Sequence, residues 1–441
     1  MEFYGREQEL KELRRIRAEA ARGGRLTVVT GRRRVGKTEL VDRALNDGKG
    51  PYLYLLISQR SEKELCQGLQ EDVERAIGRP LLGRAERFVQ LFRAIMESAC
   101  DRPLTLVIDE FQEFDKIDPA IFTDLQGVWD ALHKRAKLNL VVCGSVNRLV
   151  RKIFFDDRQP LYGRNTGKIE LTPFPVAVLK RILDDQAPRR AGRDLLALWT
   201  MTGGVARYVE LLMDERAYTR KRMIETVFGL GSSYVDEGKI ALGQEFGKDS
   251  GVYFSILASI ASGRTSYAEL RNAIGAEIGG QLTKLEDVYG LISKKHPFLE
   301  KVTSRNCLYA IDDSFFRFWF RFAYKYQHLL EQKQYVAIRQ IVERDLDAFS
   351  GLALERYFRA KFIEEGRYTR IGGWWDRKGE NEIDLVCENE VTGELGFFEV
   401  KVDSRRIAPA ALQLKVAAFL RKHPDLQDRK REVGGLSLED M

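Results

Sequence analysis

Residues 31–38 read Gly-Arg-Arg-Arg-Val-Gly-Lys-Thr, directly after the run Leu26-Thr-Val-Val-Thr30 and directly before the helix-forming run Glu39–Leu45. A β-branched strand, a glycine-flanked turn and a helix in this order predict an α/β fold with a parallel sheet and a phosphate loop. Gly31 and Gly36 permit a tight turn whose successive N–H groups converge on an anion. Lys37 is spaced to reach the β and γ oxygens of a nucleotide, and the Thr38 hydroxyl to hold Mg²⁺. The following helix points its positive end at the same place. The candidate binding segment is Gly31, Arg34, Val35, Gly36, Lys37, Thr38 and Glu39, with ATP and Mg²⁺ as the expected ligands.

A second segment fits the first. Leu104-Thr-Leu-Val-Ile108 is an apolar run that ends in Asp109-Glu110. Such a strand is buried on both faces and delivers its acidic pair to the sheet's carboxyl edge. Asp109 is the candidate metal carboxylate together with Thr38. Glu110 is the candidate base that orients and polarises an attacking water. Hydrolysis, and not binding alone, is the expectation.

The 441 residues are too many for one ordinary core, so two to four domains are expected. The excess of 72 basic over 65 acidic residues mildly favours a polyanionic partner. The opening Met-Glu-Phe-Tyr-Gly-Arg shows no basic-then-apolar leader, and no apolar run is long enough for a membrane span, so a cytoplasmic protein is expected. Five scattered cysteines and four dispersed histidines lack metal spacing and read as free thiols without a zinc site.

Strand-like and helix-like runs alternate through residues 1–173, the predicted nucleotide-binding core. Residues 174–245 read as a helical lid broken by Gly203-Gly204. Residues 246–312 follow the order helix, helix, helix, hairpin of a winged helix-turn-helix. Its third helix offers Gln281, Thr283 and Lys284 but also Glu277, Glu286 and Asp287, so the module is open to DNA contact or to packing on a protein partner. Arg264, Arg271, Lys294, Lys295 and Arg305 are also spread over its helices and wing. Residues 313–347 form an aromatic-rich helical bridge, 348–426 a smaller α/β domain, and 427–441 a polar tail expected to be loose.

In that last domain, Asp384 lies on one predicted strand and Glu399-Val-Lys401 on the next. Residues two apart share a strand face, so a hairpin would gather Asp384, Glu399 and Lys401. Two carboxylates and a lysine can hold Mg²⁺ and direct water at a phosphodiester. The same alternation also suits a solvated, salt-bridged face.

Taken together, Phe3–Leu10, the phosphate loop, Asp109-Glu-Phe-Gln112, Cys143-Gly-Ser145, Leu161-Tyr-Gly-Arg164, Thr202–Tyr208, Tyr309–Trp319 and Trp374–Lys401 resemble archaeal-type P-loop ATPases related to the AAA+ and STAND groups. The subgroup resembled carries a C-terminal domain of unknown function related to restriction-endonuclease-like folds. The resemblance implies that Tyr4, Gly5 and Arg6 lie at the adenine base and that Ser145 is a polar sensor of the γ-phosphate. It implies that Arg164 is a sensing arginine or one acting in trans, which would require an oligomer. It also implies that Glu355 and Gln413 join Asp384, Glu399 and Lys401 in a nuclease-like site. Two expectations follow for the whole chain: an Mg²⁺-dependent ATPase acting on DNA, or an ATP-controlled switch acting on a protein partner with a silent nuclease-like scaffold.

Overall fold

The computed structural model describes the chain except for Lys49, Ser145, Val146, 247–249, Val302, Arg305 and Lys378, together with the side chains of Asn147, Arg148, Gln244, Glu245 and Ser250. The chain divides into two units, residues 2–173 and residues 174–441 with Met1.

In the first unit, the β-branched runs become five parallel strands: β1 (Arg25–Gly31), β2 (Tyr52–Leu56), β3 (Leu104–Asp109), β4 (Leu138–Gly144) and β5 (Gly167–Leu171). Their order across the sheet is β2-β3-β4-β1-β5. The inner strands β1, β3 and β4 are buried on both faces because both are covered, whereas the edge strand β5 exposes Lys168 and Glu170. Leu26, Val28, Leu53, Leu55, Ile108 and Val142 pack beneath helices Glu62–Ile77, Phe88–Asp101 and Ala120–Leu132. Val29, Val107, Val141, Cys143 and Ile169 face Glu7–Glu19 and Lys37–Leu45. Helix boundaries follow local chemistry. Ser61 and Glu64 form a reciprocal capping box, and Gly78, with φ 70°, ends the same helix. β1, β4 and β3 lie side by side, so the phosphate loop and the Asp109-Glu110 pair leave the same carboxyl edge of the sheet.

The second unit begins with helices Val176–Gln186, Gly192–Thr202, Ala206–Asp214 and Arg220–Val227. The expected three helices and a hairpin follow as Ser250–Ala261, Tyr267–Ile274 and Gly279–Thr283, the last continuing as a π-turn through Val288, then β6 (Ile292–Lys295) against β7 (Leu308–Ile311). The hairpin's loop does not project freely. Phe298 donates its backbone N–H to the Gly373 carbonyl (2.8 Å) and is buried among Trp374, Ile383, Phe397 and Phe419 of the last domain. Trp375 Nε1 donates to Asn306 Oδ1 (3.1 Å).

Two boundaries differ from the sequence expectation. One helix, Tyr335–Glu364, runs through the border drawn at residue 347. It is pinned along its length by Thr200 Oγ1 to Ser350 Oγ (3.3 Å), Trp199 Nε1 to the Ala353 carbonyl (2.9 Å) and Arg356 to the Ile311 carbonyl (2.8 Å). The tail is also ordered. β8 (Arg370–Trp375), β9 (Glu382–Glu388) and β10 (Leu395–Val400) are joined by β11 (Arg431–Leu436), which pairs parallel with β10 in the order β11-β10-β9-β8. Without β11, the fully buried strand β10 would leave its edge unpaired. Gly434-Gly435 hid this strand from propensity. A Cβ at Gly435 would strike the Ile407 side chain, so glycine is what the packing requires.

Candidate functional site

β1 ends at Gly31, where φ is 151° and a Cβ would stand 2.6 Å from the Leu171 carbonyl oxygen. The loop then takes left-handed backbone at Arg34 (φ 70°) and Gly36 (φ 96°), and Gly36 caps the helix Lys37–Leu45. Val35 is fully buried and anchors the loop from within. Arg6 braces it from behind: Nη2 donates to the Thr172 carbonyl (2.7 Å) and the Val35 carbonyl (3.5 Å). Arg6 and Tyr4 are both buried, and Gly5 is left-handed at φ 61°. The guanidinium expected at a base is thus turned to the loop's own backbone. Arg34 and Glu39 are exposed on the outer side.

Lys37 Nζ donates to the carbonyls of Gly31 (2.9 Å) and Arg32 (3.2 Å). Burial pulls this ammonium below its ordinary pKa, and the Glu110 and Asp109 carboxylates oppose that pull. Asp109, itself buried, is held at three points. Oδ2 accepts from Thr38 Oγ1 (3.0 Å) and from the Tyr54 hydroxyl (2.6 Å), and Oδ1 accepts from the Glu110 N–H (2.8 Å). Thr38 and Asp109 therefore present adjacent hard oxygens beside the phosphate loop, a donor set that fits Mg²⁺. Glu110 sits at φ 52°, an uncommon conformation for a residue other than glycine. Its carboxylate accepts from Gln112 Nε2.

Gly31, Val35, Gly36, Lys37, Thr38, Asp109 and Glu110 thus come together as spacing implied. Ser145 lies outside the described residues. Arg164 does not join them. Thr166, two residues on, donates its N–H to the Leu26 carbonyl at the start of β1, so Arg164 belongs to the opposite edge of the sheet, roughly 16 Å from Gly31 along the strand. There it makes a two-pronged ion pair with Asp130 (Nη2–Oδ2 2.7 Å, Nε–Oδ1 3.0 Å). Sensing of a phosphate held by its own chain is excluded by this placement. Tyr54 was missed by sequence reasoning. Its signal is register: Tyr54 pairs with Val107, which shares a strand face with Asp109.

A second cluster forms on the four-stranded sheet. Asp384 Oδ2 accepts from the Val400 N–H (2.7 Å) and Lys401 Nζ (2.9 Å). Glu399 Oε1 lies 3.7 Å from both Lys401 and Lys415, and its Oε2 accepts from the Ala408 N–H (2.8 Å). Glu355, on the long helix, has its carboxyl pushed up to about 8 by burial, with repulsion from Asp384 and Glu382 adding and Lys401 opposing. Asp384, Glu399, Lys401 and Glu355 therefore converge as expected. Gln413 does not: it is exposed, because Leu412, Val416 and Phe419 turn the opposite side of its helix inward. Lys415 falls between those buried positions and reaches the cluster instead. Glu382, two residues before Asp384, was also missed, although strand parity places it on the same face. Among the described residues, no three histidine, cysteine or acidic side chains are already gathered as metal ligands.

Three cations of the helix-and-hairpin module are matched by neighbouring acids. Lys294 pairs with Glu286 (2.8 Å), Lys295 with Asp312 (2.7 Å) and Arg271 with Glu277 (3.6 Å). Arg305 lies outside the described residues. Arg264 and Lys284 are exposed. No helix among the described residues is long and apolar enough to cross a membrane.

Comparison with known proteins matches two stretches of the chain. Residues 3–212 match an ATPase domain found predominantly in Archaea, and residues 319–410 match archaeal and bacterial proteins of unknown function. An uncharacterized protein of Methanocaldococcus jannaschii is 25% identical over 409 residues, covering 90% of this chain and 87% of its own length. Among solved structures, a Walker-type ATPase of Pyrococcus abyssi superposes with a TM-score of 0.52 at 22% identity, over 72% of this chain and 96% of that one.

Proposed function

We propose that this chain, which belongs to the archaeal-type P-loop ATPases carrying a C-terminal domain of unknown function, binds ATP with Mg²⁺ and hydrolyses it at the carboxyl edge of its parallel sheet. The observation that carries this reading is the bond from Thr38 to Asp109 beside a glycine-turned loop. It sets two metal-binding oxygens next to backbone N–H groups aimed at phosphate. In the reaction, Lys37 exchanges its loop carbonyls for β and γ oxygens. Thr38 and Asp109 would hold the metal, which would supply charge neutralisation to the phosphates. Glu110 receives a proton from the attacking water. Arg164 could serve only a neighbouring chain, and would first have to leave Asp130. Steady-state ATP hydrolysis by the full chain, with and without Mg²⁺, tests this reading; turnover that ignores the metal, or none at all, overturns it.

A second activity is favoured by one further observation. Lys401 is hydrogen-bonded to Asp384 in a cluster where a neighbouring acid is held protonated near neutrality. A lysine and carboxylates so arranged suit metal-assisted attack on a phosphodiester, and the last domain is read as nuclease-like. DNA is its expected substrate. The helix-and-hairpin module contributes little to this, since its loop is tied to β8 and its cations Arg271, Lys294 and Lys295 are paired with acids. Metal-dependent nicking of plasmid DNA that disappears in Asp384→Ala supports the reading. Its absence favours an ATP-controlled switch acting on a protein partner through this scaffold.

A further inference from the structure

Gln112 occupies an unusual position beside the hydrolytic carboxylate. It lies on the short 3-10 turn Phe111–Glu113 that follows β3 and is only 1% exposed. The aromatic rings around it fix that turn. Phe111 and Phe114 are buried, with ring centroids 5.4 Å apart, and Phe111 also meets Phe122 at 5.7 Å and Phe154 at 5.4 Å. The side chain leaves this rigid base with its amide at the active edge. Nε2 donates to Glu110. Oε1 is buried and has no hydrogen-bond donor among the described residues. A Cβ on Gly144, at the end of β4, would collide with that same oxygen and with Val150.

Packing alone does not account for these features. A leucine would fill the same volume without leaving an acceptor unpaired, an arrangement that costs stability when buried. The amide is retained where it donates to the residue proposed to activate water. That residue is itself held in left-handed backbone at φ 52°. Such backbone persists where the surroundings determine it.

We propose that Gln112 is a positioning residue for hydrolysis: its Nε2–H fixes the Glu110 carboxylate in the orientation from which it takes the proton of the attacking water. The proposal rests on the ATPase reading above. Gly144 contributes by leaving room for the amide, which a larger residue would displace. Gln112 touches neither nucleotide nor metal in this scheme, so its removal leaves binding intact and acts on the chemical step.

The test uses the full chain and the variants Gln112→Leu and Gln112→Met, which keep the volume and lose the donor. Three quantities are read: the melting temperature, the dissociation constant for a fluorescent ATP analogue with Mg²⁺, and kcat and KM for ATP. The expected result is an unchanged or raised melting temperature, unchanged binding and KM, and a fall in kcat of roughly ten- to hundredfold, the scale of a misplaced catalytic group. Wild-type kcat in either variant overturns the proposal while leaving the ATPase reading in place. A rise in KM or loss of binding that accounts for the whole effect also overturns it. A wild-type chain without ATP turnover defeats the ATPase reading and this proposal with it. Gly144→Ala serves as the second approach, since it disturbs the amide without altering Gln112; a folded Gly144→Ala protein with wild-type kcat counts against the proposal.

Discussion

Replacing Tyr54 by phenylalanine removes a single oxygen and leaves the ring in place. That oxygen donates to Asp109 Oδ2 at 2.6 Å, a hydrogen bond to a buried carboxylate. Bonds of this kind contribute about 1.5–3 kcal/mol. Asp109 keeps Thr38 and the Glu110 N–H, so the loss stays near the middle of that range, about 2 kcal/mol. For a unit of this size that lowers Tm by roughly 4–8 °C. The pH dependence is also set. Burial and Asp109 push the Tyr54 hydroxyl above its ordinary value of 10.0, so it remains a donor throughout the neutral range. A raised value means that its contribution is complete below the ordinary tyrosine value and fades only above it. Calorimetry of wild type and Tyr54→Phe between about pH 6 and 9 should therefore show a constant gap in the transition of residues 2–173. Equal melting temperatures, or a gap that closes between about pH 7 and 9, would refute the reasoning.

Glu355 should make the second unit less stable as pH rises. Its carboxyl, raised from 4.5 to about 8, keeps a proton in the folded unit that the unfolded chain releases, so stability falls across that interval. Glu355→Gln should flatten the dependence of Tm on pH between about 6 and 8; an unchanged slope would contradict the burial argument. Phe298→Ala should cost about 3–5 kcal/mol, because the ring belongs to the core of the last domain rather than to a free loop. Only the calorimetric transition of residues 174–441 should move, and an unaffected transition would return Phe298 to the surface.

The parts legible in the sequence were those whose signal is local. Gly31–Thr38 and Asp109-Glu110 are written in consecutive residues, and the strands β1 and β3 that carry them were marked by β-branched or apolar runs. Asp384, Glu399 and Lys401 followed from alternation and one hairpin. What stayed hidden depends on register and packing across distant segments. Tyr54 reaches Asp109 only because β2 pairs with β3 in one frame. Lys415 displaces Gln413 because three apolar residues fix the roll of their helix. β11 was concealed by two glycines whose reason is Ile407, far from them in sequence. Arg164 shows the converse: a motif position suggested the γ-phosphate, and strand register put the residue at the other edge of the sheet.

The most direct measurement places two variants side by side. Binding of ATP and its turnover are followed in the full chain for wild type, Lys37→Ala and Glu110→Gln, in Mg²⁺. The account predicts that Lys37→Ala no longer binds the nucleotide, whereas Glu110→Gln binds it as wild type does and loses about 10²–10⁴-fold in kcat. Hydrolysis that persists in purified Lys37→Ala, or wild-type turnover in Glu110→Gln, would contradict it.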